Sequence, residues 1–183
     1  MKNDQQLLSA YIHGDDAAFA ELYEKYFSKI YNFVFYKVYS QENAEDITAD
    51  VFHKVIENVD KFNAKKGNFS QWIYSIARNT VVDFFRKRFP TDNIEDIFDA
   101  PARDDVEREV SAKISLEKVE KYLRTLKPQQ REIIILRVWE NLSYKEIALI
   151  IGKNESAVKM SFSRIVGKMN PDLLLLYFTL LNT

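Results

Sequence analysis

Cysteine is absent from the sequence, and glycine, proline and histidine are scarce, with 4, 4 and 2 residues among 183. Without cysteine the chain has no disulfide, no zinc site with thiolate ligands and no cysteine nucleophile. Two histidines, His13 and His53, leave little histidine for catalysis. So little glycine and proline, with few stretches that alternate polar and apolar residues, favours helices. We therefore predict an all-α fold.

Long apolar runs are missing as well. Met1 leads into polar residues, so the start does not resemble a secretory signal, and no run approaches the ~20 apolar residues that a membrane helix requires. We expect a cytoplasmic protein without membrane insertion. Hydrophobic side chains nevertheless make up 46% of the residues, and aromatic ones 14%, which is enough for a packed core.

Neither sign of charge dominates, since the net charge is −1, but the charges are unevenly distributed. Lys and Arg number 12 against 12 Asp and Glu in residues 1–90, 3 against 8 in residues 91–115, and 11 against 6 in residues 116–170. This distribution predicts two helical domains joined by an acidic linker. The predicted segments are a first domain at 1–90, the linker at 91–111, a second domain at 112–170 and an apolar C-terminal extension at 171–183.

Three helical patterns precede residue 60. We expect Asp4 to cap the first helix and Gly14 to follow its end, and Ser40 to cap the third. The second helix carries a long apolar stripe that is typical of a core: Phe19, Leu22, Tyr23, Tyr26, Ile30, Phe33, Val34 and Val38. The predicted buried side of the third helix consists of Ala44, Ile47, Val51, Val55 and Val59.

The predicted outer face of the third helix is acidic. It contains Glu42, Asp46, Ala49, Asp50, His53 and Glu57 at helical spacing. Asp46, Asp50 and His53 have side chains of the kinds that bind a divalent cation, and an enzyme using that face is one alternative. No further ligand cluster accompanies them, so we predict no metal site. A solvated or protein-docking face is the preferred interpretation.

The segment from Asn68 to Phe89, NFSQWIYSIARNTVVDFFRKRF, combines aromatic bulk with a basic end. Ser70 is the expected N-cap, and Ile73, Ile76, Ala77, Val81 and Phe84 form an apolar face at helical spacing. The helix closes with three basic residues before Pro90 stops it. Two interpretations remain open on this pattern: a core helix with a solvated cationic end, or a surface that binds single-stranded nucleic acid.

The second domain has the clearest local signals. Pro128 is expected in the first turn of a helix, and Ser143 and Glu146 form the capping box of the next one. Gly152 provides a tight turn and Asn154 caps a last helix, which places Ser156, Lys159, Met160, Ser163 and Arg164 outward. This order is typical of a helix-turn-helix. An αα-hairpin without nucleic acid is the alternative.

Together these patterns resemble a bacterial sigma factor of the compact extracytoplasmic-function type, over residues 1 to 169. The resemblance rests on AEDITADVFHKVIENVDKF (44–62), NFSQWIYSIARNTVVDFFRKR (68–88) and LSYKEIALIIGKNESAVKMSFSRIVGKM (142–169), which follow one another in the order of that family. It implies a protein that binds core RNA polymerase, directs it to promoters and assists promoter melting. It also implies that the protein makes no bonds itself, so we expect no enzyme, no catalytic residues and no cofactor. The partners it implies are core polymerase, promoter DNA and an anti-sigma factor, with no small-molecule substrate.

The resemblance also implies three sets of site residues, each carried over by its position in a motif. The set implied to dock on core polymerase is Asp46, Ala49, Asp50, His53 and Glu57. The set implied to capture the single strand of the minus-ten element is Lys65, Lys66, Asn68, Phe69, Trp72, Arg78, Asn79, Arg86, Lys87 and Arg88. The set implied to enter the major groove at the minus-thirty-five element is Ser156, Ala157, Lys159, Met160, Ser163, Arg164 and Lys168.

The chain departs from the family pattern at several positions. Ala49 and Asp50 stand where Gln-Glu is usual, and Ala157, Ser161 and Ile165 replace the usual Thr, Arg and small residue of the recognition helix. The apolar residues 173–181 are expected to pack on the second domain or to form a partner surface. The alternative function is a one-component helix-turn-helix regulator that acts without core polymerase.

Overall fold

The computed structural model describes residues 2–65, 67–88, 119 and 121–169, and all regular elements in those residues are helices, as predicted. Helices α1 (Asp4–Ile12), α2 (Asp16–Val38), α3 (Gln41–Asn58) and α4 (Phe69–Arg88), with a 3-10 turn at Val59–Lys61, form what we call the front half. Residues 121–125 are helical, and α5 (Pro128–Val138), α6 (Tyr144–Ile151) and α7 (Glu155–Val166) complete the back half. The predicted acidic linker and the predicted C-terminal extension lie outside the described residues.

Most helix starts are set by the local signals that predicted them. Ser40 caps α3, Asn154 caps α7, and Ser143 forms a reciprocal capping box with Glu146 at the start of α6. The prediction for α1 was wrong, because Asn3 is its N-cap and accepts from the Gln6 N–H at 2.9 Å. Asp4 instead accepts a hydrogen bond from the Tyr26 hydroxyl at 2.6 Å, so its carboxylate ties α1 to α2.

The core of the front half lies between α2, α3 and α4. All five residues predicted for the buried side of α3 are buried, and α4 adds Phe69, Ile73, Tyr74, Ala77 and Val81. On α2, Leu22 and Tyr26 are buried but Tyr23 and Phe27 are exposed. The core assignment of Tyr23 was therefore wrong, since one residue along a helix is a rotation of about 100° and carries the side chain out of the buried stripe.

The back half is a helix-turn-helix, as predicted. Gly152 ends α6 with a left-handed backbone (φ +68°), which glycine adopts without steric cost, and α7 starts three residues later. Ile147 and Ile151 of α6 pack with Val158 and Phe162 of α7, all of them buried. Helix α5 lies behind both and is buried on nearly every side. The outer surface of α7 is therefore free to carry polar side chains.

The two halves are in contact, which the sequence did not predict. Helix α5 lies against α2, and α6 lies against α4, so the buried apolar residues of both halves form one cluster. The rings of Tyr36 and Trp139 stack across the contact with centroids 5.7 Å apart. A guanidinium N–H of Arg131 donates to the Tyr36 carbonyl at 3.4 Å. Across residues 2–65, 67–88 and 121–169, no helix is long and apolar enough to cross a membrane.

Candidate nucleic-acid and polymerase interfaces

The loop that leads into α4 is held by the N-terminus of that helix. The Asn68 side chain accepts from the Gln71 N–H at 2.8 Å, and the Gln71 side chain accepts from the Asn68 N–H at 3.0 Å. Asn68 is therefore the cap of α4, and the assignment of Ser70 as the cap was wrong. A Cβ added at Gly67 would collide with the Gln71 amide oxygen, so a larger residue would disturb this cap. The cap fixes the position at which the loop enters α4.

A cluster of four aromatic rings, from Tyr26, Phe62, Phe69 and Trp72, packs beside this loop. Phe69 is only 2% exposed and packs edge-on against Tyr26, with ring centroids 5.2 Å apart. Trp72 is half-buried and lies 5.3 Å from the Phe62 ring, measured between centroids. In this conformation Phe69 is part of the core, whereas Phe62 and Trp72 face a cavity of about 210 Å³. The cavity is lined by Lys61, Phe62, Asn63, Gly67, Asn68, Gln71, Trp72, Ser75 and Leu149.

The remaining residues of the single-strand set are spread along α4. Lys65 and Asn79 are exposed, and Lys66 is outside the described residues. Arg86, Lys87 and Arg88 are exposed in the last turn of α4, about 25 Å from the loop at 1.5 Å per residue. The structure therefore brings Asn68 and Trp72 together at the cavity but does not bring the basic end of α4 there.

Arg78 makes a contact that the motif did not predict. Its Nε lies 3.3 Å from Oε1 of Glu132 in α5, and its side chain is 19% exposed. Lys37 of α2 approaches the same carboxylate oxygen at 3.3 Å. Burial lowers the pKa of Lys37, and the adjacent Glu132 carboxylate opposes that change. Two cations of the front half thus meet one buried carboxylate of the back half.

The set predicted to dock on polymerase shares one exposed face of α3. Asp46, Ala49, Asp50, His53 and Glu57 are all exposed, and His53 Nδ1 lies 3.5 Å from Glu57 Oε2. Among the described residues no three His, Asp or Glu side chains converge as a metal site requires, and this includes Asp46, Asp50 and His53. The face is therefore suited to a protein contact through its charge.

Exposed aromatic residues border this acidic face, and sequence reasoning missed them. The Tyr23 ring lies 4.7 Å from Phe52 and 5.2 Å from Phe27, centroid to centroid, and Ile56 is exposed on the neighbouring part of α3. One helical turn further along α2, the Tyr31 ring stacks with the Phe27 ring, with centroids 6.5 Å apart. Large exposed apolar side chains grouped in this way are typical of interaction surfaces. The sequence did contain a signal for this exposed group. The aromatic stripe on α2 is wider than the one side of a helix that a core can bury, so some of its rings must be exposed.

The recognition-helix set is presented on the outer surface of α7. Ser156, Lys159, Met160, Ser163 and Arg164 are exposed, as predicted, and so is Lys168 just beyond the helix. Ala157 is half-buried, and its N–H donates to the Asn154 side chain at 2.7 Å. The opposite side of α7 is anchored by Val158, Phe162 and Ile165, which are buried. The face can therefore meet DNA while the helix stays fixed to its domain.

Two family models match the chain in the order of the two halves. The model of Sigma-70 region 2 matches residues 22–89, which include most of α2 and all of α3 and α4. The model of Sigma-70 region 4 matches residues 116–169, which contain the helix-turn-helix.

Similar proteins agree with these matches. The chain is 34% identical to the ECF RNA polymerase sigma factor BldN of Streptomyces coelicolor over 168 residues, which are 87% of this chain but 62% of BldN. It is 30% identical to the RNA polymerase sigma factor NccH of Alcaligenes xylosoxydans xylosoxydans over 172 residues, 91% of this chain and 92% of that protein. The chain belongs to the sigma-70 family, and within it to the sigma factors of the extracytoplasmic-function type.

Solved structures share the fold. CnrH, in complex with the cytosolic domain of CnrY, is 19% identical, with a TM-score of 0.67 over 96% of this chain and 97% of that one. The sigma factor RpoE of Bartonella quintana, in complex with the anti-sigma factor NepR, is 23% identical, with a TM-score of 0.68 over 90% of this chain and 97% of that one.

Proposed function

We propose that this sigma factor docks on core RNA polymerase through α3, reads an upstream promoter element with α7 and holds the opened strand at the start of α4. The observation that carries the proposal is the presence, in one chain, of an exposed recognition helix and of an aromatic cavity beside a capped polar loop. A duplex is read by side chains in the major groove, whereas an unpaired base needs a pocket. We assign these tasks to domains at 1–90 and 112–170, acting in the cytoplasm.

The polymerase contact is assigned to the acidic face of α3 together with the exposed aromatic residues beside it. Asp46, Asp50 and Glu57 provide negative charge, and Tyr23 and Phe27 provide apolar area. Aromatic anchors with a charged rim are the usual composition of a protein interface. The polymerase surface that fits this face is basic around an apolar centre.

The strand-binding site is assigned to the cavity beside the loop. Trp72 supplies a ring on which a base can stack, and Asn68 and Lys65 supply an amide and a cation for a base edge and the backbone. Arg86, Lys87 and Arg88 lie too far along α4 to reach the same nucleotide, and we assign them to the duplex upstream of it.

The upstream element is assigned to the outer surface of α7. Arg164 and Lys159 can donate to base edges or phosphates, and Met160 offers apolar contact of the kind that a thymine methyl accepts. The net charge of the chain is only −1, whereas a protein that binds DNA alone usually carries many positive charges. This supports binding together with polymerase, which would supply much of the attraction to the DNA phosphates.

A protein inhibitor is a further proposed partner. CnrH and RpoE were solved in complexes with CnrY and the anti-sigma factor NepR, and this chain shares their fold. We propose that an anti-sigma factor binds this chain also.

Reconstitution with core polymerase tests the proposed function. The purified chain is added to core enzyme on a library of promoter fragments, and transcripts are sequenced. We expect initiation at a defined subset of fragments only when the chain is present. If the chain instead binds operators as a dimer and core polymerase changes nothing, the one-component regulator is the correct function.

A further inference from the structure

Helix α4 contains a single acidic residue, Asp83, and closes with three basic residues at 86–88. The Asp83 side chain is 53% exposed. Asn79, one turn before it, and Lys87, one turn after it, are exposed as well. Residues four apart lie on the same side of a helix, so these three side chains form one exposed row. A carboxylate therefore lies within the polar row of the helix that we propose to bind promoter DNA.

The Asp83 carboxylate is only loosely held by the protein. Lys54 Nζ, from α3, lies 3.9 Å from Asp83 Oδ2, which is too long for a hydrogen bond. The same ammonium donates to the Thr80 hydroxyl at 3.1 Å. An ion pair as exposed as Lys54 and Asp83 contributes little to stability. The carboxylate oxygens of Asp83 can therefore accept hydrogen bonds from a ligand.

The position of Asp83 along α4 places it beside duplex DNA in the proposed function. At 1.5 Å per residue it is about 4.5 Å along the helix axis from Arg86, which we assign to the upstream duplex, and about 20 Å from Phe69 at the loop. Phosphates repel a carboxylate, whereas the N4 amino group of cytosine donates to one in the major groove. Thymine O4 and guanine O6 are acceptors and cannot donate. The chemistry of Asp83 therefore favours a cytosine edge.

We infer that Asp83 is a specificity-determining residue, which accepts a hydrogen bond from a cytosine in the duplex directly upstream of the opened strand. The inference rests on the proposed function, in which α4 contacts promoter DNA. Arg86 and Lys87, one turn away, can hold the neighbouring phosphates, so that DNA approaches Asp83 despite its negative charge. A thymine or guanine at the same place leaves the carboxylate facing a carbonyl oxygen without a donor.

A promoter library tests this assignment with the full chain and core polymerase. Starting from a promoter that the reconstitution selects, the base pairs directly upstream of the opened strand are randomised. Each template carries a barcode in its transcribed part, so that sequenced transcripts report the preferred bases. The natural chain is compared with Asp83→Asn, which keeps the shape and removes the charge, and with Asp83→Ala. Lys54→Met breaks the same ion pair but leaves the carboxylate, and Glu21→Gln removes an exposed acid of α2.

We expect the natural chain to prefer cytosine at one position, by on the order of tenfold over thymine or guanine. Asp83→Ala should lose this preference at that position alone. Asp83→Asn should shift the preference to adenine, whose N6 and N7 pair with an asparagine amide. Lys54→Met and Glu21→Gln should keep the preference for cytosine.

An unchanged base preference in Asp83→Ala and Asp83→Asn overturns the inference while the proposed function stands, because the natural chain still directs initiation. Loss of transcription on every template in both Asp83 variants also overturns it, and so does the same shift in Lys54→Met as in Asp83→Asn. In either case Asp83 acts through the contact between α3 and α4. If the natural chain gives no transcripts with core polymerase, the proposed function fails and the inference fails with it.

Discussion

Lys37 Nζ lies 3.3 Å from Glu132 Oε1, and the two side chains are 4% and 2% exposed. One belongs to α2 in the front half and the other to α5 in the back half, so this ion pair connects the two halves through two buried side chains. Buried charges are costly unless they are paired, and Arg78 adds a second cation to the same carboxylate. The two halves are therefore connected through a buried carboxylate of one half and two cations of the other.

Glu132→Ala should destabilise the chain by about 3 to 5 kcal/mol, because it leaves Lys37 and Arg78 buried without an anion. Urea denaturation followed by circular dichroism measures the change. Lys37→Met/Arg78→Met/Glu132→Leu, which removes all three charges together, should recover most of the loss.

The matched control is Lys2→Ala, which removes one partner of an exposed pair and should cost no more than about 1 kcal/mol. A similar small loss in Glu132→Ala would contradict the buried three-way contact.

Asp46→Lys/Asp50→Lys should weaken binding to core polymerase while the helical content stays unchanged. Both side chains are exposed on the outer face of α3, so the substitution changes the charge of the proposed docking surface and not the core. Surface plasmon resonance with immobilised core enzyme measures the affinity. Asp16→Lys/Glu21→Lys on α2 makes the same change in net charge and should bind normally. If both variants bind core enzyme with equal affinity, the outer face of α3 does not contact polymerase.

The fold was predictable where short-range signals decide it. Ser40, Ser143 and Asn154 cap their helices as predicted, because a hydrogen bond between residues three apart depends little on the rest of the chain. The contact between the halves could not be predicted in this way, since Glu132 is far along the chain from Lys37 and Arg78. One signal existed: Glu132 comes directly before Ile133, Ile134, Ile135 and Leu136 in α5, and four consecutive apolar residues cover every side of one helical turn, which favours burial of that turn.

The candidate sites were predictable as exposed faces but not as contacts. Helical spacing was enough to place Asp46, Asp50 and Arg164 outward. It could not show that the Asn68 amide is shared between the cap of α4 and Glu146, or that the Phe69 ring is buried. These facts depend on which helix lies opposite, and that is set by packing between distant segments.

Lys159→Ala and Arg164→Ala should each reduce recognition of the upstream promoter element, by about 1 to 3 kcal/mol if the side chain reads a base. The physical reason is that α7 presents both side chains on its exposed surface. Binding of the reconstituted holoenzyme is measured on promoters with and without that element, and only the first group should respond. Lys121→Ala removes an exposed cation of the back half outside α7 and serves as the control. Equal losses on both promoter groups would show that this face does not read the element.

Protonation of Glu146 should lower the free energy of unfolding at acid pH. Partial burial raises the pKa of Glu146, but hydrogen bonds from Ser143 and Asn68 lower it by more, so the pKa lies below its ordinary value of 4.5. The Ser143 N–H donates to the carboxylate at 2.7 Å and the Asn68 amide at 2.8 Å. The Glu146 carboxylate therefore binds a proton less readily in the folded chain than in the unfolded chain. The contribution to stability is present above pH 4.5 and is lost as the pH falls through the folded value.

Glu146→Gln tests this directly, because glutamine keeps the capping geometry of α6 and removes the charge. The difference in unfolding free energy between the natural chain and Glu146→Gln should be constant near neutral pH and shrink on acidification below 4.5. Urea titrations across the pH range measure that difference, and a carboxyl NMR titration of Glu146 measures its pKa. Asn68→Ala, which removes the donor from the front half, should move that pKa upward. If the pKa does not move, α6 does not contact the start of α4 in solution.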